Sequence, residues 1–256
     1  MGRLRWVWVA VLLHAKQLSR SPLEIVISLV DPLVYATLAV YLFRVGGERH
    51  SVIEAAVGAG MMAVWASVLF GSGGAVQRQR WQGTLELLML APRRPALCFL
   101  PITLATAVIG VYGLLATLLW GVVVFGMPLQ IANPSAFVVA VLGVVASLGM
   151  MGLLLASLFV LLPNANALAN TLSYPVWMLS GMLVSLSVLP GWTTPLSDVL
   201  PTTWGARAVR QAAEGGPVWP SLGVGVGLGL VCLVAGTVSM TRMERRARAA
   251  ATLGLA

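Results

Sequence analysis

Asp31 is the residue of this sequence best placed to do chemistry. It falls inside an apolar run, about two turns after Pro22, and is followed by Pro32. An ionisable group within a membrane span is a candidate for a substrate or ion pathway, because it is expensive to leave in hydrocarbon. The alternative is a protonated or hydrogen-bonded acid at a Pro-disturbed turn. The other reactive residues form no constellation. His14 and His50 both lie outside the apolar runs, so Ser72, set among Gly71, Gly73 and Gly74, has no base for a hydrolytic dyad. The same glycines lack the Lys-Ser/Thr ending of a phosphate loop and read as packing or hinge residues. Cys98 and Cys232 are isolated in apolar surroundings and read as small core side chains. No carboxylate pair converges in an apolar run. The sequence therefore calls for no catalytic residue, no metal and no cofactor bound by this chain, and it is not read as an enzyme.

The second place where residue types carry meaning is Gln79 to Pro95, QRWQGTLELLMLAPRRP, a polar-to-amphipathic segment between two long apolar runs. Gly83 can break a helix arriving from upstream. Thr84 fits the N-cap of a new short helix, and Glu86 sits in its first turn, where the helix dipole favours a carboxylate. Leu85, Leu88 and Met89 recur at helical spacing. Pro92 ends the helix, and Arg93 and Arg94 follow. The segment reads as a short helix at the cytoplasmic membrane surface, presented to a partner protein. Arg78, Arg80, Glu86, Arg93 and Arg94 can orient that docking, or the arginines can anchor the helix to anionic headgroups.

Composition supplies the setting for both features. Of 256 residues, 59% are hydrophobic and only 9% charged, against roughly 25% charged in a soluble domain. The 16 basic residues outnumber the 8 acidic ones. They cluster at the edges of apolar runs, as membrane topology requires, so a nucleic-acid partner is not expected. Residues 1 to 21 mix Arg3, Arg5, Lys16 and Arg20 with Trp6, Trp8 and Leu12. A cleaved signal peptide would lack the basic far end, so an interfacial amphipathic helix on membrane lipid fits better.

Six spans are expected, at about Leu23–Phe43, Val52–Val76, Ala96–Phe125, Ser135–Leu162, Leu168–Val184 and Val218–Met240. Each approaches or exceeds the roughly 20 residues needed to cross about 30 Å of hydrocarbon. The third is long for one crossing, and Pro175 is expected to kink the fifth. Residues 186–216, with Pro190, Pro195 and Pro201, are too polar to cross and too rich in Leu, Val and Trp for a free loop. They read as one or two short helices dipping back into the outer leaflet. Residues 241–256 form a basic tail. With six spans, one side holds twelve basic residues and the other holds Arg44, Arg49, Arg207 and Arg210. The positive-inside rule puts both termini and the Gln79–Pro95 segment in the cytoplasm.

Two further patterns have double readings. Gly223, Gly225, Gly227 and Gly229 offer small-residue surfaces either for a dimer seam or for packing within the subunit. Met150, Met151, Met178 and Met182 either line an adaptable apolar path or fill space.

The run Gly83-Thr84-Leu85-Glu86-Leu87-Leu88, closed by Pro92, resembles the GTLE…P signature of type-2 ATP-binding-cassette (ABC-2) transporter permeases. Ser180-Gly181, then Leu189-Pro190-Gly191-Trp192, then Pro201, Arg210 and Gly215, resemble the end of that family's fifth span and its re-entrant external helices. The resemblance covers essentially the whole chain and is nearest to the small drug- and antibiotic-resistance permeases, including daunorubicin-resistance types. The chain departs from the pattern at Gln79 and Trp81, where acids are common, and at Ser185, where Pro is common.

The resemblance implies an all-α integral membrane fold. It has six transmembrane helices, an N-terminal interfacial helix, a cytoplasmic coupling helix between spans two and three, and re-entrant external helices between spans five and six. It implies residues 1–256 as one transmembrane domain in a bacterial plasma membrane. It implies a second permease copy, identical or paralogous, and two copies of a separate ABC ATPase that carries the ATP and Mg. Coupling falls to Arg80, Gly83, Thr84, Leu85, Glu86, Leu88 and Pro92. Asp31, Met178, Ser180, Gly181, Met182, Leu189 and Pro190 are candidates for the translocation path or gate. The expected cargo is a lipophilic drug, natural product or lipid-like molecule, exported from the cytoplasm or inner leaflet. A lipid-linked glycan precursor is the alternative cargo. A proton-coupled secondary carrier and a non-transporting membrane partner are the rival classes.

Overall fold

The computed structural model describes residues 3–20, 22–45, 52–83, 95–126, 131–161, 165–183, 186 and 189–250. Among them every regular element is a helix: α1 (Arg3–Leu18), α2 (Pro22–Val45), α3 (Val52–Trp81), α4 (Pro95–Phe125), α5 (Pro134–Leu161), α6 (Ala165–Leu179), a 3-10 turn (Gly191–Thr193), α7 (Thr194–Val199), α8 (Pro201–Glu214) and α9 (Val218–Ala250). This is an all-α integral membrane fold. Helices are the economical choice in lipid because each satisfies its own backbone groups.

Among the described residues four helices are long and apolar enough to cross a membrane: Ile53–Gln77, Pro95–Phe125, Pro134–Val160 and Val218–Met243. The first and fifth expected spans differ from these. Within α2 the apolar stretch is shorter, Leu29–Tyr41. The fifth is cut short. α6 has 15 residues, roughly 22 Å of rise, where Leu168–Val184 was expected to run on. The helix stops because Gly181 adopts the left-handed region at φ 69°, which glycine enters without the Cβ penalty.

The centre of the molecule is the packing of α3 against α4 and α5. Trp65, Met61, Met62 and Leu69 of α3, Phe99 of α4, and Leu148, Leu153 and Phe159 of α5 are fully buried. In lipid such an interface is held by close packing rather than by escape from water. Close approach is built in: a Cβ added at Gly110 of α4 would stand 2.6 Å from the Cα of Val64. Hydroxyls add links between helices. Thr103 Oγ1 of α4 donates to the Gly149 carbonyl of α5 at 2.8 Å. Trp120 Nε1 of α4 donates to Thr37 Oγ1 of α2 at 2.9 Å. Such bonds are worth about 0.6 kcal/mol each in membrane proteins.

α9 closes the other side of the bundle against α5 and α8. A Cβ at Gly229 would lie 2.8 Å from the Ser147 Cα, and one at Gly225 would lie 3.3 Å from the Trp204 Cβ, so these two glycines pack within the subunit. Nothing stands within 4 Å of Gly223 or Gly227. α1 packs along α4 with Val11 buried, while Trp8, Leu12 and Leu13 are exposed and the Ser19 and Tyr112 hydroxyls share a hydrogen bond at 3.2 Å.

Pro-Gly chemistry also shapes the region before α9. α7 and α8 each carry Pro at an N-terminal position, where its fixed φ suits the first helical turn. Gly215 ends α8 at φ 85°, and Gly216 N bonds back to the Gln211 carbonyl at 2.7 Å, a helix-ending geometry that glycine allows. The chain before α5 bonds to the same helix end, Ala132 N to the Ala213 carbonyl at 3.0 Å. Asn133 then starts α5, its Oδ1 accepting from Ala136 N at 3.1 Å.

Candidate functional site

The helices enclose a cavity of about 420 Å³ walled by α1, α2, α3, α4 and α6. Its longest wall is α3, which contributes Ala63, Ala66, Ser67, Gly71, Gly74 and Ala75, then Gln79 and Gln82. These positions recur every three to four residues and so form one helical stripe. Because the side chains at Ala63, Ala66, Gly71, Gly74 and Ala75 are small, the helix surface recedes there and leaves space. From Ala63 to Gln79 the helix rises roughly 24 Å, most of the about 30 Å of hydrocarbon.

Asp31 opens onto this cavity. It is exposed, and among the described residues no arginine or lysine lines the cavity with it. One turn further along α2, Tyr35 meets Trp177 of α6 edge to face, with ring centroids 5.1 Å apart. Tyr174 makes the same kind of contact with Trp177 at 5.2 Å. Phe70 of α3 faces the same space. His14 of α1 lies in the wall, and burial lowers its pKa below the usual 6.5, so the imidazole is neutral at pH 7.

The four residues Gly71 to Gly74 divide their work. Gly71 meets Thr106 and Gly73 meets the Phe159 ring. Ser72 is fully buried, and a Cβ at Gly152 of α5 would stand 3.0 Å from its Oγ. Gly74 has nothing within 4 Å and borders the cavity.

A second cluster forms where α6 ends. The Ser180 and Thr202 hydroxyls hydrogen-bond to one another, tying the turn to α8. The Arg210 guanidinium of α8 donates to the Gly181 carbonyl. Burial lowers the Arg210 pKa, the Glu54 and Glu214 carboxylates raise it, and Arg207 lowers it. Glu54 stands at the start of α3, so the guanidinium lies where α3, α6 and α8 meet. Gly58 of α3 packs against the Met182 carbonyl so closely that a Cβ there would stand 2.4 Å from the oxygen.

The path and gate candidates thus fall into two places. Asp31 is in the cavity. Ser180, Gly181 and Met182 are buried at the α6 turn, while Met178 faces outward, 43% exposed. Leu189 and Pro190 precede the 3-10 turn, with Leu189 N bonding to the Leu186 carbonyl at 3.3 Å. Met150 and Met151 are buried on α5, and none of the four methionines borders the cavity. Met178 and Met182 are spaced like neighbours on a helix, but the helix ends between them. In the sequence Arg210 figures in the topology charge count and as a family marker, not as a site residue. Its signal as a site residue is its setting, a cation among the buried Ala206, Ala208, Val209, Ala212 and Ala213 of α8.

Of the coupling residues, Arg80 lies in α3 and Gly83 follows it, exposed, at φ 63°. Gly83 thus sits just past the helix end, where a left-handed residue terminates a helix. Thr84, Leu85, Glu86, Leu88 and Pro92 lie outside the described residues.

Residues 7–213 match the family described as ABC-2 type transporter. The match runs from α1 to α8 and takes in both the cavity and the Arg210 contact. No curated protein matches the chain.

Proposed function

The chain belongs to the ABC-2 type transporter family, and we propose that, as the multi-pass permease subunit of an ABC transporter, it exports a lipophilic molecule. The observation that carries this reading is the cavity along α3. It is long enough to serve most of a crossing, walled by small, aromatic and some polar residues, and reaches Gln82 beside the Gly83 turn. A path of that kind puts the cargo in contact with the helix that leads directly into the segment 79–95.

In this account α2 and α6 cross the bilayer with the four long helices, both termini are cytoplasmic, and the membrane is a bacterial plasma membrane. Two copies of the chain pair, and each docks through residues 79–95 on a separate ABC ATPase that binds ATP and Mg. Closure of the ATPases pushes the segment, and α3 passes the displacement to the cavity wall. Arg80, Gly83, Thr84, Leu85, Glu86, Leu88 and Pro92 form the contact. The turn at Ser180–Met182, with Leu189 and Pro190, gates the outer end, held by Arg210. The cargo is a drug, natural product or lipid-like molecule, moved from the cytoplasm or inner leaflet outward. The test is substrate-stimulated ATP hydrolysis by the reconstituted complex, with Gly74→Leu as the obstructed form. Stimulation in the wild type and its loss in Gly74→Leu support the reading. Full stimulation with the cavity filled contradicts it.

A further inference from the structure

We propose that the α3 cavity selects organic cations: molecules with an apolar, aromatic-sized body and a permanent or protonated positive centre that pairs with Asp31. The inference rests on the cavity being the transport path and adds the charge of the cargo.

A carboxylate at membrane depth is tolerated only where it pairs or meets water, and among the described residues no lysine or arginine shares the cavity with Asp31. A cation that enters therefore meets Asp31 with no lysine or arginine in the wall competing for it. The surroundings favour an occupant of a particular kind. Tyr35 stands one helical turn from Asp31, packed edge to face on Trp177 at 5.1 Å, and Phe70 borders the same space. Aromatic faces attract cations, most strongly where water is scarce. The remaining wall mixes small or apolar residues, such as Ala63, Ala66, Gly74 and Ile102, with uncharged polar ones, Gln17, Ser67, Gln79 and Thr106. Such a wall accepts bulk but offers no second charge to an anion or a zwitterion. A volume of about 420 Å³ falls in the range of about 300–1,000 Å³ typical of drug-sized ligand sites.

The test is equilibrium binding to the purified full chain in nanodiscs of zwitterionic lipid, with empty nanodiscs as blank. The probes are tetraphenylphosphonium, a permanent cation, and triphenylphosphine oxide, an uncharged aromatic probe. The expected result is saturable binding of the cation, about tenfold tighter than the neutral probe. Asp31→Asn should remove that preference while keeping the neutral affinity, and Asp31→Glu should retain it. Gly74→Leu should weaken both. Equal affinity of the wild type for the two probes, or a preference unchanged in Asp31→Asn, overturns the cation assignment and leaves the cavity as a transport path. Saturable binding of neither probe overturns both. The wild-type preference is decisive by itself, so the inference does not depend on any variant folding.

Discussion

The Arg210 guanidinium, on α8, donates a hydrogen bond to the backbone carbonyl of Gly181, in the turn that ends α6. It is a charge holding a backbone position that only glycine adopts freely, and it joins the short helices before α9 to the end of a helix that borders the cavity. Two predictions concern the two partners.

Arg210→Ala removes the donor and leaves Glu54 and Glu214 without the cation that faces them. Hydrogen bonds to charged groups contribute about 1.5–3 kcal/mol, and the variant should lose stability of that order. Arg210→Lys should recover only part of it, because an ammonium does not reproduce the planar fork. Thermal unfolding in detergent, read at the near-ultraviolet signal, checks both variants. A wild-type transition in Arg210→Ala would mean that the contact contributes little.

Gly181→Ala forces an L side chain to φ 69° and brings a Cβ to 3.0 Å from the Leu186 Cγ. The left-handed conformation alone costs about 1–2 kcal/mol outside glycine. Gly191→Ala is the control, since nothing stands within 4 Å of that position and its φ is not positive. The transition of Gly181→Ala should fall by several degrees and that of Gly191→Ala should not.

Gly74 tests whether the space along α3 matters. Gly74→Ala fits into open space and replaces glycine inside a helix, a gain of about 0.5–1 kcal/mol. Gly74→Leu starts from the same open position, and its longer side chain takes up cavity space. Transport should survive the first substitution and fail in the second, with equal membrane insertion. Comparing efflux with surface-normalised protein separates a blocked path from lost protein.

His14 gives a pH dependence with a defined sign. Burial lowers its folded pKa below 6.5, so the unfolded chain takes up the proton first as pH falls. The contribution is fully present above 6.5 and is lost as pH drops through 6.5 toward the folded value. Stability should therefore decrease between about pH 7.5 and 5.5, and His14→Asn should flatten that part of the curve. A slope identical in the two proteins would remove His14 as its source.

Much of the helical plan is legible from composition and punctuation. The long apolar runs became α3, α4, α5 and α9, and α4 continues through Pro101 although that residue has no N–H for the ladder. Gly83 marks the end of α3 because a left-handed residue suits that place, and Pro195 and Pro201 open α7 and α8 for the reason that Pro suits a first turn. The cavity was not legible. Gly71, Gly73 and Gly74 read alike as packing or hinge residues, and only the positions of the neighbouring helices decide that Gly74 borders space while Gly73 touches the Phe159 ring. Asp31 stood out by its cost, yet its aromatic neighbours come from three helices. The Arg210–Gly181 contact joins residues 29 apart in the chain, and no periodicity links them. Met178 and Met182 show the opposite error, since spacing that suits one helix is meaningless once Gly181 ends it.

The central claim is that a separate ATPase drives this permease through residues 79–95. The most direct measurement is cargo movement in proteoliposomes holding the permease alone, the permease with its ATPase and ATP, and the Glu86→Ala form of the same complex. The account predicts movement only in the complete wild-type complex, with coupled hydrolysis reduced in Glu86→Ala although insertion is normal. Movement by the permease alone, driven by a proton gradient and indifferent to ATP, would contradict it.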